Sequence, residues 1–143
     1  MAPDLHRRRM PARSAAVAAT LALLLPGCAG RGSAENDPVT DTATRFLAAA
    51  ASAPENGCSL LAPATLEEVE ADGEKCADVL PDAAGSAPGS GEPQVDVYGR
   101  DAMVRWGDQV LFLARFDQGW RVTAAGCEPT GKDLPYDCEV EGP

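Results

Sequence analysis

Histidine is almost missing from this chain of 143 residues: the only one is His6, near the N-terminus. Beyond it no imidazole can serve as general base, complete a Ser-His-Asp or Cys-His nucleophile, or ligate a metal. None of the five cysteines forms a Cys-x-x-Cys pair, which removes a common redox and thiolate–metal spacing. No stretch reaches the ~20 consecutive apolar residues of a membrane-spanning helix. Basic residues are also scarce, 12 Lys and Arg against 22 Asp and Glu. Such a balance repels phosphate backbones and anionic lipid headgroups alike, so neither is an expected binding partner.

What is present begins with an export address. Arg7, Arg8, Arg9 and Arg13 form a positive segment, and residues 14–25 are then uncharged and mostly Ala, Val and Leu. This is the order and length of a signal sequence. The run ends in Leu25-Pro26-Gly27-Cys28, which resembles the lipobox of bacterial lipoproteins. The resemblance implies cleavage before Cys28, a lipid on its sulfur, and attachment to the extracytoplasmic face of the cell membrane. Two or more acyl chains on one cysteine suffice for stable anchoring. The alternative is a plain secretory peptide cleaved nearby, for which Cys28-Ala29-Gly30 offers small residues. Cysteine parity favours the lipid: without Cys28, four cysteines remain to pair, Cys58, Cys76, Cys127 and Cys138, and no thiol is left over in an oxidising compartment.

The expected organisation is therefore a signal peptide over residues 1–27, a lipidated cysteine with a flexible tether over 28–37, and one α+β domain over 38–143. The processed chain carries eight basic and 21 acidic residues, a net charge of −13. It is one small domain, too short for a two-lobed solute receptor. Asp37 and Pro38 read as N-cap and first helical residue of a helix over 38–52. Its apolar stripe is Val39, Ala43, Phe46, Leu47 and Ala50. Thr65 and Glu68 predict a capping box opening a second helix that Gly73 closes. Residues 75–80 can add a further turn or two. Glu68-x-Glu70-x-Asp72-Gly73 begins like a calcium loop, but Val79 stands where the bidentate Glu belongs. No metal or cofactor is expected.

A loop rich in Gly, Ser, Ala and Pro spans 81–93, and the apolar period then changes from helical to two. Strands are predicted over 94–98, 102–106, 109–116 and 120–125, with an edge strand around Tyr136, Cys138 and Val140. The short connections require antiparallel hairpins. Four cysteines allow three pairings; the two local closures, Cys58–Cys76 and Cys127–Cys138, are expected, the first stapling the second helix and the second pinning the edge strand.

A two-residue turn at Gly107-Asp108 and a three-residue turn at Asp117-Gln118-Gly119 divide the sheet into two apolar faces. One carries Met103, Val110, Phe112, Ala114, Phe116, Trp120 and Val122. The other carries Val95, Val97, Val104, Trp106, Leu111 and Leu113, with Arg115 and Arg121 at its margin. Short helices can hardly cover both: either the sheet curls strongly and the tails cover what the helices miss, or one face meets a partner, and this second face is the candidate interaction surface. Arg115 and Arg121 would oppose one another across the hairpin and form a candidate anion site, unless an acid such as Asp137 or Glu139 lies between them.

Helices followed by a meander, ending in Gln118-Gly119-Trp120-Arg121-Val122, resemble the cone-shaped α+β domains of the ketosteroid-isomerase type, as carried by small lipoproteins of actinobacterial type. The resemblance implies a curled four- to five-stranded sheet, with one face open to a partner or a second copy. In enzymes of that type an Asp or His base and a Tyr face an apolar pocket, which points to Asp96 and Tyr98; the simpler reading of Asp96 is an ion pair with Arg105. The expected role is non-catalytic: binding a protein or small ligand at the cell envelope. The alternative is a small isomerase- or dehydratase-like enzyme acting on an apolar molecule.

Overall fold

The computed structural model describes residues 32–85 and 91–143; the signal segment and Cys28 lie outside the described residues. Four helices precede one antiparallel sheet, an α+β arrangement: α1 (Gly32–Ser52), α2 (Pro54–Cys58), α3 (Pro63–Val69), α4 (Cys76–Ala83), then β1 (Gln94–Tyr98), β2 (Asp101–Trp106), β3 (Gln109–Phe116), β4 (Gly119–Pro129) and β5 (Tyr136–Glu141). The strands lie side by side in chain order, an open meander. Among the described residues no helix is long and apolar enough to cross a membrane.

The first helix departs from expectation at its start. It begins at Gly32 and runs through Pro38, so residues 32–37 belong to it and not to a tether, and Asp37 is not its cap. Pro38 removes one intrahelical hydrogen bond. A tertiary contact offsets that loss: Arg115 Nη1 and Trp120 Nε1 both donate to the Glu35 carboxylate, the indole at 3.0 Å. The apolar stripe is as the period requires, with Val39, Ala43, Phe46, Leu47 and Ala50 buried. Together they lie against the sheet.

The shorter helices also differ in detail. Residues 54–58 form a short additional helix, α2, opened by Pro54. The capping box is absent: α3 starts at Pro63 with no side-chain cap. Thr65 is buried, and its hydroxyl donates instead to the Thr123 carbonyl at 3.1 Å. A long-range carbonyl acceptor has taken the place of the local N–H donor of a cap. The Cys58–Cys76 disulfide links α2 to the first residue of α4 across 18 positions, and α4 continues through Pro81 to Ala83.

In the sheet, Val104 opposes Leu111 and Ala102 opposes Leu113, as the two-residue turn at Gly107-Asp108 requires. The next turn is the correction. Phe116 pairs with Gly119 and Arg115 with Trp120, so the connection is Asp117-Gln118 alone and Gly119 takes the positive φ of 111°. One residue fewer in the turn moves Trp120 and Val122 to the opposite face. They join Val104, Trp106, Leu111 and Leu113 in the core beneath the helices. Two irregularities between β3 and β4 then shift the register so that Ala124 faces Phe112 and Cys127 faces Val110. The face of Val95, Val97, Val104, Trp106, Leu111 and Leu113 is consequently no interaction surface: it is the core. Its helix-side cover is completed by Phe46, Leu47 and Leu80, all fully buried.

Candidate functional site

The open face of the sheet is the other one. Val110, Ala124 and Cys127 form a second apolar cluster there, flanked by Met103, Phe112, Tyr136 and Cys138. Cys127 and Cys138 are direct cross-strand partners joined by the second disulfide, their Cα atoms 3.9 Å apart. Phe112 and Tyr136 meet edge to face, ring centroids 5.3 Å apart, the arrangement that aromatic quadrupoles favour. Residues from the start of α3 and from the C-terminal end rise beside this cluster and leave a groove of about 530 Å³. Its lining includes Phe112, Phe116, Ala124 and Tyr136, with Thr65 and Glu141 among its few polar side chains. An adjoining hollow of about 290 Å³, lined by Tyr98, Met103, Leu113 and Thr123, shares Phe112 with it. The two form a continuous apolar strip along the outer face.

Asp96 and Tyr98 lie on this face but do not converge. The Asp96 carboxylate accepts from Arg105 Nη2 at 2.7 Å, a diagonal ion pair across β1 and β2. Met103 stands directly opposite Asp96 in register. Tyr98 is 65% exposed.

The expected pairing of Arg115 with Arg121 does not occur. Arg121 opposes Ala114 and donates from Nη1 to the Ser59 carbonyl. Arg115 points to the helix side and holds Glu35. The shorter turn accounts for the separation: adjacent strand positions put the two guanidiniums on opposite faces. The acid that neutralises Arg115 is therefore Glu35, and neither Asp137 nor Glu139. Arg100 closes the same corner, donating from Nε and Nη2 to the Arg115 carbonyl at 3.1 and 2.6 Å.

Glu35 and the groove residues Tyr136 and Ala124 went unrecognised in the sequence. Glu35 sits in a small, polar stretch that reads as linker, and nothing local marks its two partners. At the opposite end of the sheet, Asp82, Asp108, Glu128 and Glu139 surround a polar depression with Gln109. Among the described residues no group of His, Cys, Asp and Glu has the geometry of a metal site.

No family model, curated protein or solved structure matches this chain.

Proposed function

We propose that the protein is an extracytoplasmic lipoprotein anchored through Cys28, and that its α+β domain is a non-catalytic binding module of the cell envelope. Its binding surface is the outer face of the sheet. The observation that carries the reading is the apolar groove over Phe112, Phe116, Ala124 and Tyr136. Its volume falls in the ~300–1,000 Å³ range of small-ligand sites. The polar groups beside it are few, which suits an apolar group of a ligand or partner. Asp96, the acid that the resemblance pointed to as a base, is engaged by Arg105. The cysteine count supports the anchor, because the four cysteines of the domain pair among themselves and Cys28 remains.

The test is intact-mass analysis of the protein taken from its native membrane. The expected product begins at Cys28, carries a lipid adduct, and gains about 4 Da on reduction, two hydrogens for each disulfide. A freely secreted, unmodified chain would overturn the anchoring. Binding is tested with the dye 1-anilinonaphthalene-8-sulfonate: enhanced emission that disappears in Phe112→Ser supports the groove as the site, and emission unaffected by that substitution overturns it.

A further inference from the structure

The anchoring cysteine and the first described residue are close neighbours in the chain. Four residues of reach separate Cys28 from Gly32, at most about 14 Å at ~3.3–3.6 Å per residue. The start of α1 is in turn fixed to one end of the sheet, where Glu35 holds Arg115 and Trp120. That end is made of the β1–β2 turn at Gly99-Arg100 and the β3–β4 turn at Asp117-Gln118. Glu35, Gly99, Arg100 and Asp117 line one shared depression there.

Among the described residues, three large apolar side chains are exposed: Tyr98, Phe116 and Leu134. Two of them, Tyr98 at 65% and Phe116 at 37%, stand at this same end. Leu134 belongs to the β4–β5 connection at the other. The charge is divided in the same sense. At the hairpin end Arg100 and Arg115 stand with Glu35 and Asp117 around one depression. The far end carries Asp82, Asp108, Glu128 and Glu139 around one depression. The depression at the hairpin end is therefore balanced in charge, and the one at the far end is acidic with no Lys or Arg in its lining.

We infer that the hairpin end bearing Tyr98 and Phe116 rests on the bilayer surface, with both rings entering the headgroup region. The inference rests on the anchoring proposed above. An anionic leaflet repels the acidic end and not the balanced one. Amphipathic rings beside arginines suit an interface that is apolar on one side and wet on the other. A short tether lets the anchor hold that end in place. Phe116 also lines the groove, so this orientation sets one mouth of the groove beside the lipid headgroups.

The experiment uses the full processed chain in vesicles of phosphatidylcholine and phosphatidylglycerol with brominated acyl chains, after intact-mass measurement on the same preparation. Three variants each place one added indole: Tyr98→Trp, Phe116→Trp and Leu134→Trp, all at exposed positions. The expected result is that bromine removes most of the added emission at 98 and 116 and leaves that at 134, with the parent protein as baseline. With the lipid adduct present, equal quenching at all three positions, or none, overturns the orientation and leaves the anchoring reading standing. With the adduct absent, selective quenching overturns the anchor and supports the docking end. No adduct and no quenching overturn both.

Discussion

Glu35 and Trp120 stand 85 positions apart, yet the Trp120 indole N–H donates to the Glu35 carboxylate at 3.0 Å. The other carboxylate oxygen accepts from Arg115. One acid near the start of α1 therefore ties the helix to both strands of the β3–β4 hairpin. Glu35→Ala is expected to leave the indole and the guanidinium without this acceptor. The loss is about 1–3 kcal/mol, the range for removing a hydrogen-bond partner of a charged or buried group. Urea unfolding measures the loss. Amide exchange should place it locally, with faster exchange at residues 36, 37 and 39–41 of α1 and little change in β5.

Leu111 and Phe112 are chain neighbours on opposite faces of β3. Leu111 is fully buried in the helix-covered core, and Phe112 lines the open groove. Leu111→Ser is expected to cost more than the ~2–5 kcal/mol of a core Leu→Ala change, because a hydroxyl is buried as well. Phe112→Ser should cost markedly less and should abolish apolar dye binding. Thermal unfolding of the two variants, with dye titration of the second, reads the face assignment directly.

Gly126 has a positive φ of 63°, and a Cβ there would come 2.2 Å from the Ala83 carbonyl oxygen. Gly107 has a similar φ of 59° with open space around it. Gly107→Ala is thus expected to cost about 1–2 kcal/mol, the left-handed penalty alone. Gly126→Ala adds a backbone clash worth about 1–3 kcal/mol more. Denaturant midpoints of the two variants should separate the terms.

The two disulfides close loops of similar length, across 18 and 11 positions. Loop-closure entropy gives each about 3 kcal/mol of stabilisation. The paired variants Cys58→Ala with Cys76→Ala, and Cys127→Ala with Cys138→Ala, are expected to lose comparable amounts. A loss confined to the first pair would mean that the cross-strand bond adds nothing to a register already held by β4 and β5. Equilibrium unfolding of each double variant decides.

The sequence of helices followed by a meander, the helical stripe from Val39 to Ala50, the five strands, both disulfides and the Gly107-Asp108 hairpin were all legible in the sequence, whereas α2 was not. Each depends on neighbours a few residues apart: on periodicity, on turn chemistry, or on the shortest closures among four cysteines. What the sequence left open depended on long-range competition. The turn at Asp117-Gln118 could take two residues or three, and only packing chose two, because that register buries Trp120 and Val122 with Leu113 and Phe46. Thr65 chose the Thr123 carbonyl over a local cap, and residues 32–37 became helix because Arg115 and Trp120 supply Glu35 with partners. The candidate site moved for the same reason. Strand alternation showed that Val104, Leu111 and Leu113 share one face and Met103, Phe112 and Phe116 the other. Which of two apolar faces the helices cover is a matter of tertiary packing, since alternation specifies two faces and says nothing about their order of burial.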